Sequence, residues 1–140
     1  MAAEAPGGTV SQMGDVRAFR SLLADRGNGL VINISSIAGT TAIGSNVAYC
    51  ASKAAVDSMT KSLARALAPT IRVVSIAPGW VEGDYARRAD PAYLQQQIDK
   101  TPLGRIARAE DVAAAAVGLS TSLRFATGCI VPVDGGRPLT

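Results

Sequence analysis

The sequence has 140 residues, 48% of them hydrophobic and 18% charged, with a formal net charge of +3 and no histidine. That length suits one domain or part of one, and the apolar share is enough for a core. The positive charge comes from scattered arginines without a basic run, so nucleic-acid binding finds no support, and no apolar run is long enough to cross a bilayer.

The opening stretch "MAAEAPGGTVSQMGDV" lacks the apolar core of a signal peptide, so a cytoplasmic protein is expected. Cys50 and Cys129 share no metal-ligand spacing. With histidine absent, zinc sites, Ser-His-Asp triads and Cys-His dyads are excluded, and no metal site is expected. Both cysteines read as reduced thiols that pack.

Residues 1–13 are rich in Gly, Ala and Pro and are expected to be irregular. From Asp15, Val16, Phe19, Leu22 and Leu23 fall at helical spacing, and "RGNG" (26–29) stops that helix. "LVINIS" predicts a short strand buried on both faces. "SIAGTTAIGS" predicts a small-residue loop. A long helix follows from about Asn46 to Leu67, before Pro69. "IRVVSIA" is a second buried strand, closed by Pro78-Gly79. Residues 80–107 predict an irregular connection with one short helix near 91–99. "AEDVAAAAVGLS" is a third helix with Glu110 and Asp111 in its first turn, where the macrodipole favours acids. "GCIVPV" is a third strand, and "DGG" turns the chain away. Strands alternating with helices imply right-handed crossovers and a parallel α/β sheet of about three strands.

The stretch "AYCASKAA" (48–55) sets Tyr49 and Lys53 one helical turn apart. An ammonium beside a phenol favours the phenolate, which suits the phenol to exchange a proton with an alcohol or carbonyl oxygen. A bare Y-x-x-x-K is more often an accident of a surface helix. Here Ser36 ends the first strand, thirteen residues before Tyr49, and Pro78-Gly79 ends the second. In a parallel sheet the carboxyl ends of the strands line the ligand crevice, so all these features converge on one rim.

The motifs "LVINISSIAG", "AYCASKAA", "IRVVSIAPGWVEGD", "TPLGRIARAEDVA" and "TGCIVPVDGG" together resemble the second half of a short-chain dehydrogenase/reductase, over about residues 16–138. The resemblance implies a partial Rossmann-like, doubly wound parallel sheet lacking the N-terminal cofactor-binding half, with 14–140 as the C-terminal half. It implies Tyr49 as general acid/base and Lys53 as the cation that eases its ionisation and binds the nicotinamide ribose. Ser36 would orient the substrate carbonyl; Ser35 lacks the family's spacing to the tyrosine. Pro78, Gly79 and the backbone of Val81 would lie against the nicotinamide of NAD or NADP. The connection from Trp80 to Lys100 would be a substrate lid, with Trp80, Tyr85 and Tyr93 touching substrate or packing.

Three departures from the family pattern stand out. No G-x-x-x-G-x-G follows a strand, the family's helical asparagine has no match around Gly8 to Ser11, and Gly83 stands where threonine is usual. Asn33 is expected to be structural. These departures predict a truncated dehydrogenase, weakly active or inactive alone, with an open edge on the first strand and a tendency to form homo-oligomers. The tail is most similar to 3-oxoacyl-ACP reductases, so a ketone or secondary alcohol is the expected substrate class. The alternative is a non-catalytic fragment that binds a partner such as an intact homologue. Epimerases and dehydratases sharing Y-x-x-x-K form a third class, which the tail disfavours.

Overall fold

The computed structural model describes residues 7–25 and 27–140. Nine elements follow one another: α1 (Gly7–Asp25), β1 (Gly29–Ile34), α2 (Ile37–Thr41), α3 (Val47–Leu67), β2 (Ile71–Pro78), α4 (Asp84–Arg88), α5 (Pro91–Asp99), α6 (Ala109–Thr121) and β3 (Ile130–Val133), before a closing 3-10 turn at Arg137–Leu139. The strands form one parallel sheet in the order β1-β2-β3, which is the expected α/β arrangement.

β2 is central and apolar on both faces because helices cover both. Val16 of α1, Ala64 and Leu67 of α3, and Ile71 and Val73 of β2 form one buried cluster. Val74 and Ile76, on the opposite face of the same strand, pack with Leu119 of α6. The period-two alternation of side chains in a strand divides β2 between these layers. The register Val31↔Val73 and Ile32↔Val74 carries the division into β1.

Three boundaries differ from the sequence expectations. α1 starts at Gly7, so residues 7–13 are helical instead of irregular, while residues 1–6 lie outside the described part. The loop expected after Ser36 contains α2. Its five residues include two threonines and a glycine, which have low helix propensity; packing on α3 decides the conformation. The connection over 80–107 holds α4 as well as α5. Among the described residues, no helix is long and apolar enough to cross a membrane.

Buried polar residues tie the layers together. Asn33 Nδ2 donates to Thr60 Oγ1 (2.9 Å), and Thr60 Oγ1 donates to the Val56 carbonyl (2.8 Å). Ser75 Oγ donates to the Asn33 carbonyl (3.2 Å). Asn33 therefore locks β1 to α3 and β2, in keeping with a structural residue. A buried amide without such partners would be costly.

Candidate active site

The carboxyl ends of β1 and β2 open onto a cavity of about 370 Å³ lined by Ser36, Tyr49, Gly79, Trp80, Val81 and Tyr85, together with the α2–α3 loop. Four of the residues singled out in the sequence, Ser36, Tyr49, Gly79 and Val81, therefore line one cavity. Pro78 is buried behind it at the end of β2, in register with Val133. Lys53 lies one turn deeper along α3.

The tandem serines divide by strand alternation. Ser35 is 3% exposed, and its hydroxyl donates to the Lys53 carbonyl (3.3 Å), which ties the end of β1 to α3. Ser36 faces the cavity and caps α2, its Oγ accepting from the Ala38 N–H (3.2 Å). A hydroxyl offers one hydrogen and two lone pairs. The cap occupies one lone pair, so the hydrogen stays available to a ligand oxygen.

Tyr49 stands in the first turn of α3. Asn46 caps that helix, its Oδ1 accepting from the Tyr49 N–H (2.8 Å), and the cap fixes the turn that carries the phenol. Lys53 Nζ lies 5.5 Å from the centroid of the Tyr49 ring and donates to the Ile34 carbonyl (3.3 Å). The cation is thus held between the tyrosine and the end of β1.

The opposite wall follows Gly79. A Cβ on Gly79 would lie 3.1 Å from Cα and Cβ of Asp134, so this residue lets the β2 end pass close to the turn after β3. Beyond it the chain pairs with Ala107 through a parallel bridge at Val81. The Ala107 N–H donates to the Trp80 carbonyl and the Glu82 N–H to the Ala107 carbonyl, both at 2.8 Å. Trp80 packs on Tyr85 at 5.4 Å between ring centroids and on Tyr93, edge to face, at 5.8 Å. Trp80 and Tyr85 reach the cavity, while Tyr93 is not among its lining residues. Arg105 and Asp111 brace this side through a two-fold contact (2.6 and 2.9 Å), and Asp111 also accepts from the Arg108 N–H (2.7 Å). The Arg105 guanidinium, then that N–H, hold the Asp111 carboxyl well below the usual carboxylate range.

Sequence reasoning placed Tyr49, Lys53 and Ser36 but not the α2–α3 loop. Ile43, Gly44, Ser45 and Asn46 line the cavity from that side. The asparagine three residues before Tyr49 carried a signal, since Asn is a favoured cap.

Over residues 9–137 the chain matches the family model described as Enoyl-(Acyl carrier protein) reductase. It is 40% identical over 128 residues to the protein named Inactive 2-(S)-hydroxypropyl-CoM dehydrogenase 2 of Xanthobacter autotrophicus, a match covering 86% of this chain and 56% of that protein. Among solved structures, a 3-oxoacyl-[acyl-carrier protein] reductase from Brucella melitensis superposes with a TM-score of 0.87 and 31% identity, covering 97% of this chain and 54% of that one. A gluconate 5-dehydrogenase from Burkholderia cenocepacia, solved in complex with NADP and tartrate, gives a TM-score of 0.85 and 29% identity, covering 92% and 52%. The chain spans about half the length of the curated relatives it matches.

Proposed function

The chain belongs to the short-chain dehydrogenase/reductase family, and on that premise we propose that its cleft supplies the acid–base chemistry of an NAD(P)-dependent oxidoreductase acting on a ketone or secondary alcohol. One observation carries the reading: Tyr49 and Ser36 line a common cavity, with Lys53 Nζ 5.5 Å from the Tyr49 ring.

Each residue has a derivable part. Ser36 donates its remaining hydrogen to the substrate oxygen and holds the carbonyl against Tyr49. Tyr49 delivers the proton to that oxygen during reduction and recovers it during oxidation. The Lys53 ammonium supports the phenolate that Tyr49 becomes after giving up its proton.

The residues fit one end of a nicotinamide dinucleotide. Tyr49 and Lys53 offer a hydroxyl and an ammonium to a ribose, and Pro78, Gly79 and Val81 would flank the nicotinamide. NAD(P)H, when bound, would supply a hydride to the carbonyl carbon, so that ketone, NAD(P)H and a proton would become alcohol and NAD(P)⁺. The pyrophosphate end has no counterpart among the described residues. β1 and β2 lead only into the five-residue helices α2 and α4, and β3 into a 3-10 turn. None of the three opens directly into the longer helix whose N-terminal amides cradle phosphates.

The test joins the first half of the Brucella reductase to this chain and measures oxidation of NADH and NADPH with a panel of ketones. Tyr49→Phe removes only the hydroxyl and should lower kcat by a factor on the order of 10². Unchanged turnover would remove Tyr49 from its role.

Self-association belongs to the same proposal. Among the described residues β1 pairs on one side only, and its side chain Ile34 is 44% exposed. Unpaired strand edges recruit further strands. Sedimentation at micromolar concentration should show dimers or larger species; a stable 14.3 kDa monomer would contradict this part.

A further inference from the structure

We infer that the cleft takes an uncharged, ring-bearing ketone or secondary alcohol whose ring lies against Trp80 and Tyr85, and that it rejects carboxylate or phosphate substrates. The inference rests on the oxidoreductase reading and deepens it by naming a substrate class.

Three observations support it independently. First, no charged side chain is among the residues lining the cavity; its polar groups are Ser36, Ser45, Asn46 and Tyr49. Those groups can satisfy one or two neutral oxygens. None of them can neutralise an anion, and the Lys53 ammonium behind Tyr49 is not among the lining residues and donates to the Ile34 carbonyl; an ion moved into such a site without a partner pays a desolvation penalty. Two of the arginines near this wall along the chain are engaged, and Arg88 is exposed and outside the cavity lining. Arg87 pairs with Asp84, and Arg108 approaches Glu82 at 3.7 Å.

Second, the wall is aromatic and preformed. Trp80 is held through its backbone by Ala107 and through its ring by Tyr93, so it presents a fixed face to the cavity. Its tilt of 32° to Tyr85 makes a shallow aromatic corner. Planar ligands gain most from such a corner, because offset and edge-on ring contacts add to the burial of apolar area. An open chain gains the area alone and loses rotamer freedom on binding.

Third, large apolar side chains at this mouth face solvent. Ile43 is 68% exposed and Tyr85 69%. They stand on opposite walls of the same cavity, so one apolar ligand would cover both.

Trp80 is the only tryptophan in the sequence, so its emission reports on this wall alone. The experiment titrates the 140-residue chain with three probes: β-tetralone (uncharged, fused rings), methyl octyl ketone (uncharged, open chain, same carbon number) and oxocyclohexanecarboxylate (ring, anionic). β-Tetralone should change Trp80 emission saturably and bind at least ~10-fold more tightly than either other probe, about 1.4 kcal/mol. Tyr85→Ala should weaken that binding at least ~5-fold, and Tyr85→Phe should restore it, since the ring and not the hydroxyl forms the corner. Equal or tighter binding of the anion or the open chain overturns the inference. So does the absence of a saturable change with β-tetralone up to its solubility, or indifference to Tyr85→Ala. The hydride assay on the joined chain separates the two levels. Binding of β-tetralone without oxidation of NAD(P)H breaks the oxidoreductase reading and leaves the ligand class standing. Faster oxidation with the anionic ketone does the reverse.

Discussion

On the α2–α3 side of the cleft, hydrogen bonds that involve backbone hold the candidate residues, two of them local and one reaching across to β1. Ser36 caps α2, Asn46 caps the turn bearing Tyr49, and Lys53 reaches back to the Ile34 carbonyl. On the other side, Trp80, Tyr85 and Tyr93 hold mainly one another, and two of the three are exposed. Chemistry needs a proton donor fixed to within fractions of an ångström, which short hydrogen-bonded connections provide. Recognition needs a surface of the right shape, which packed rings on a connecting segment provide, and which can change without disturbing the first wall.

Two glycines express the same contrast and allow it to be broken. Gly39 sits where α2 presses on α3: a Cβ there would lie 2.8 Å from the Lys53 carbonyl carbon, 2.9 Å from Asp57 Oδ2 and 3.0 Å from the Lys53 oxygen. Two of these atoms are backbone and cannot swing aside. Alanine in place of a helical glycine gains up to ~1 kcal/mol, but overpacking of this kind costs about 1–3 kcal/mol. Gly39→Ala should therefore destabilise the chain on balance in a urea titration. Because the shift falls between Ser36 and Lys53, it should also lower kcat of the joined enzyme more than it raises KM. Unchanged stability would mean that α2 is not clamped.

A second break acts beneath the aromatic wall. Asp111 holds Arg105 and the Arg108 N–H, and so the stretch that pairs with Trp80 and Glu82. Its carboxyl is held below its ordinary value, so its stabilising effect is present above the unfolded-state value of ~3.9 and is lost as pH falls through the lower folded-state one. Asp111→Asn should be less stable than the parent at neutral pH by a small amount, since the pair is exposed and screened. Thermal melts should show the two proteins converging as pH drops below about 4. A gap that stays constant into strong acid would detach the effect from this ionisation.

The smallest change is expected at Gly83. Nothing lies within 4 Å of a Cβ built there, and its φ of 160° is extended backbone that any residue adopts. Gly83→Thr should leave Tm within the scatter of ordinary surface substitutions, and a marked drop would show that the second wall is as tightly packed as the first.

The sequence made much of this legible. The three strands read correctly because each is a short apolar run rich in β-branched residues, and β2 is buried on both faces as "IRVVSIA" suggested. The long helix was legible from its apolar spacing and from Pro69 beyond its end. Short, weakly helical segments were not: α2 and α4 have five residues each and owe their form to what they pack on. The start of α1 was missed because Gly, Thr and Ser at 7–11 argue locally against a helix.

For the site, helical periodicity put Tyr49 and Lys53 on one face, since residues four apart share a face in any helix, while their roles are what the family resemblance implies. Ser36 and the Pro78-Gly79 turn followed from the rule that strand ends share a rim in a parallel sheet. Tertiary structure decided the rest. It chose which of the tandem serines turns inward, and it paired Asn33 with Thr60, 27 residues away. It also brought Trp80 and Tyr85 across from Ile43 on one cavity. These outcomes depend on contacts between segments far apart in the chain. Local preference is blind to them, and only the burial of both faces of β2 brings those segments together.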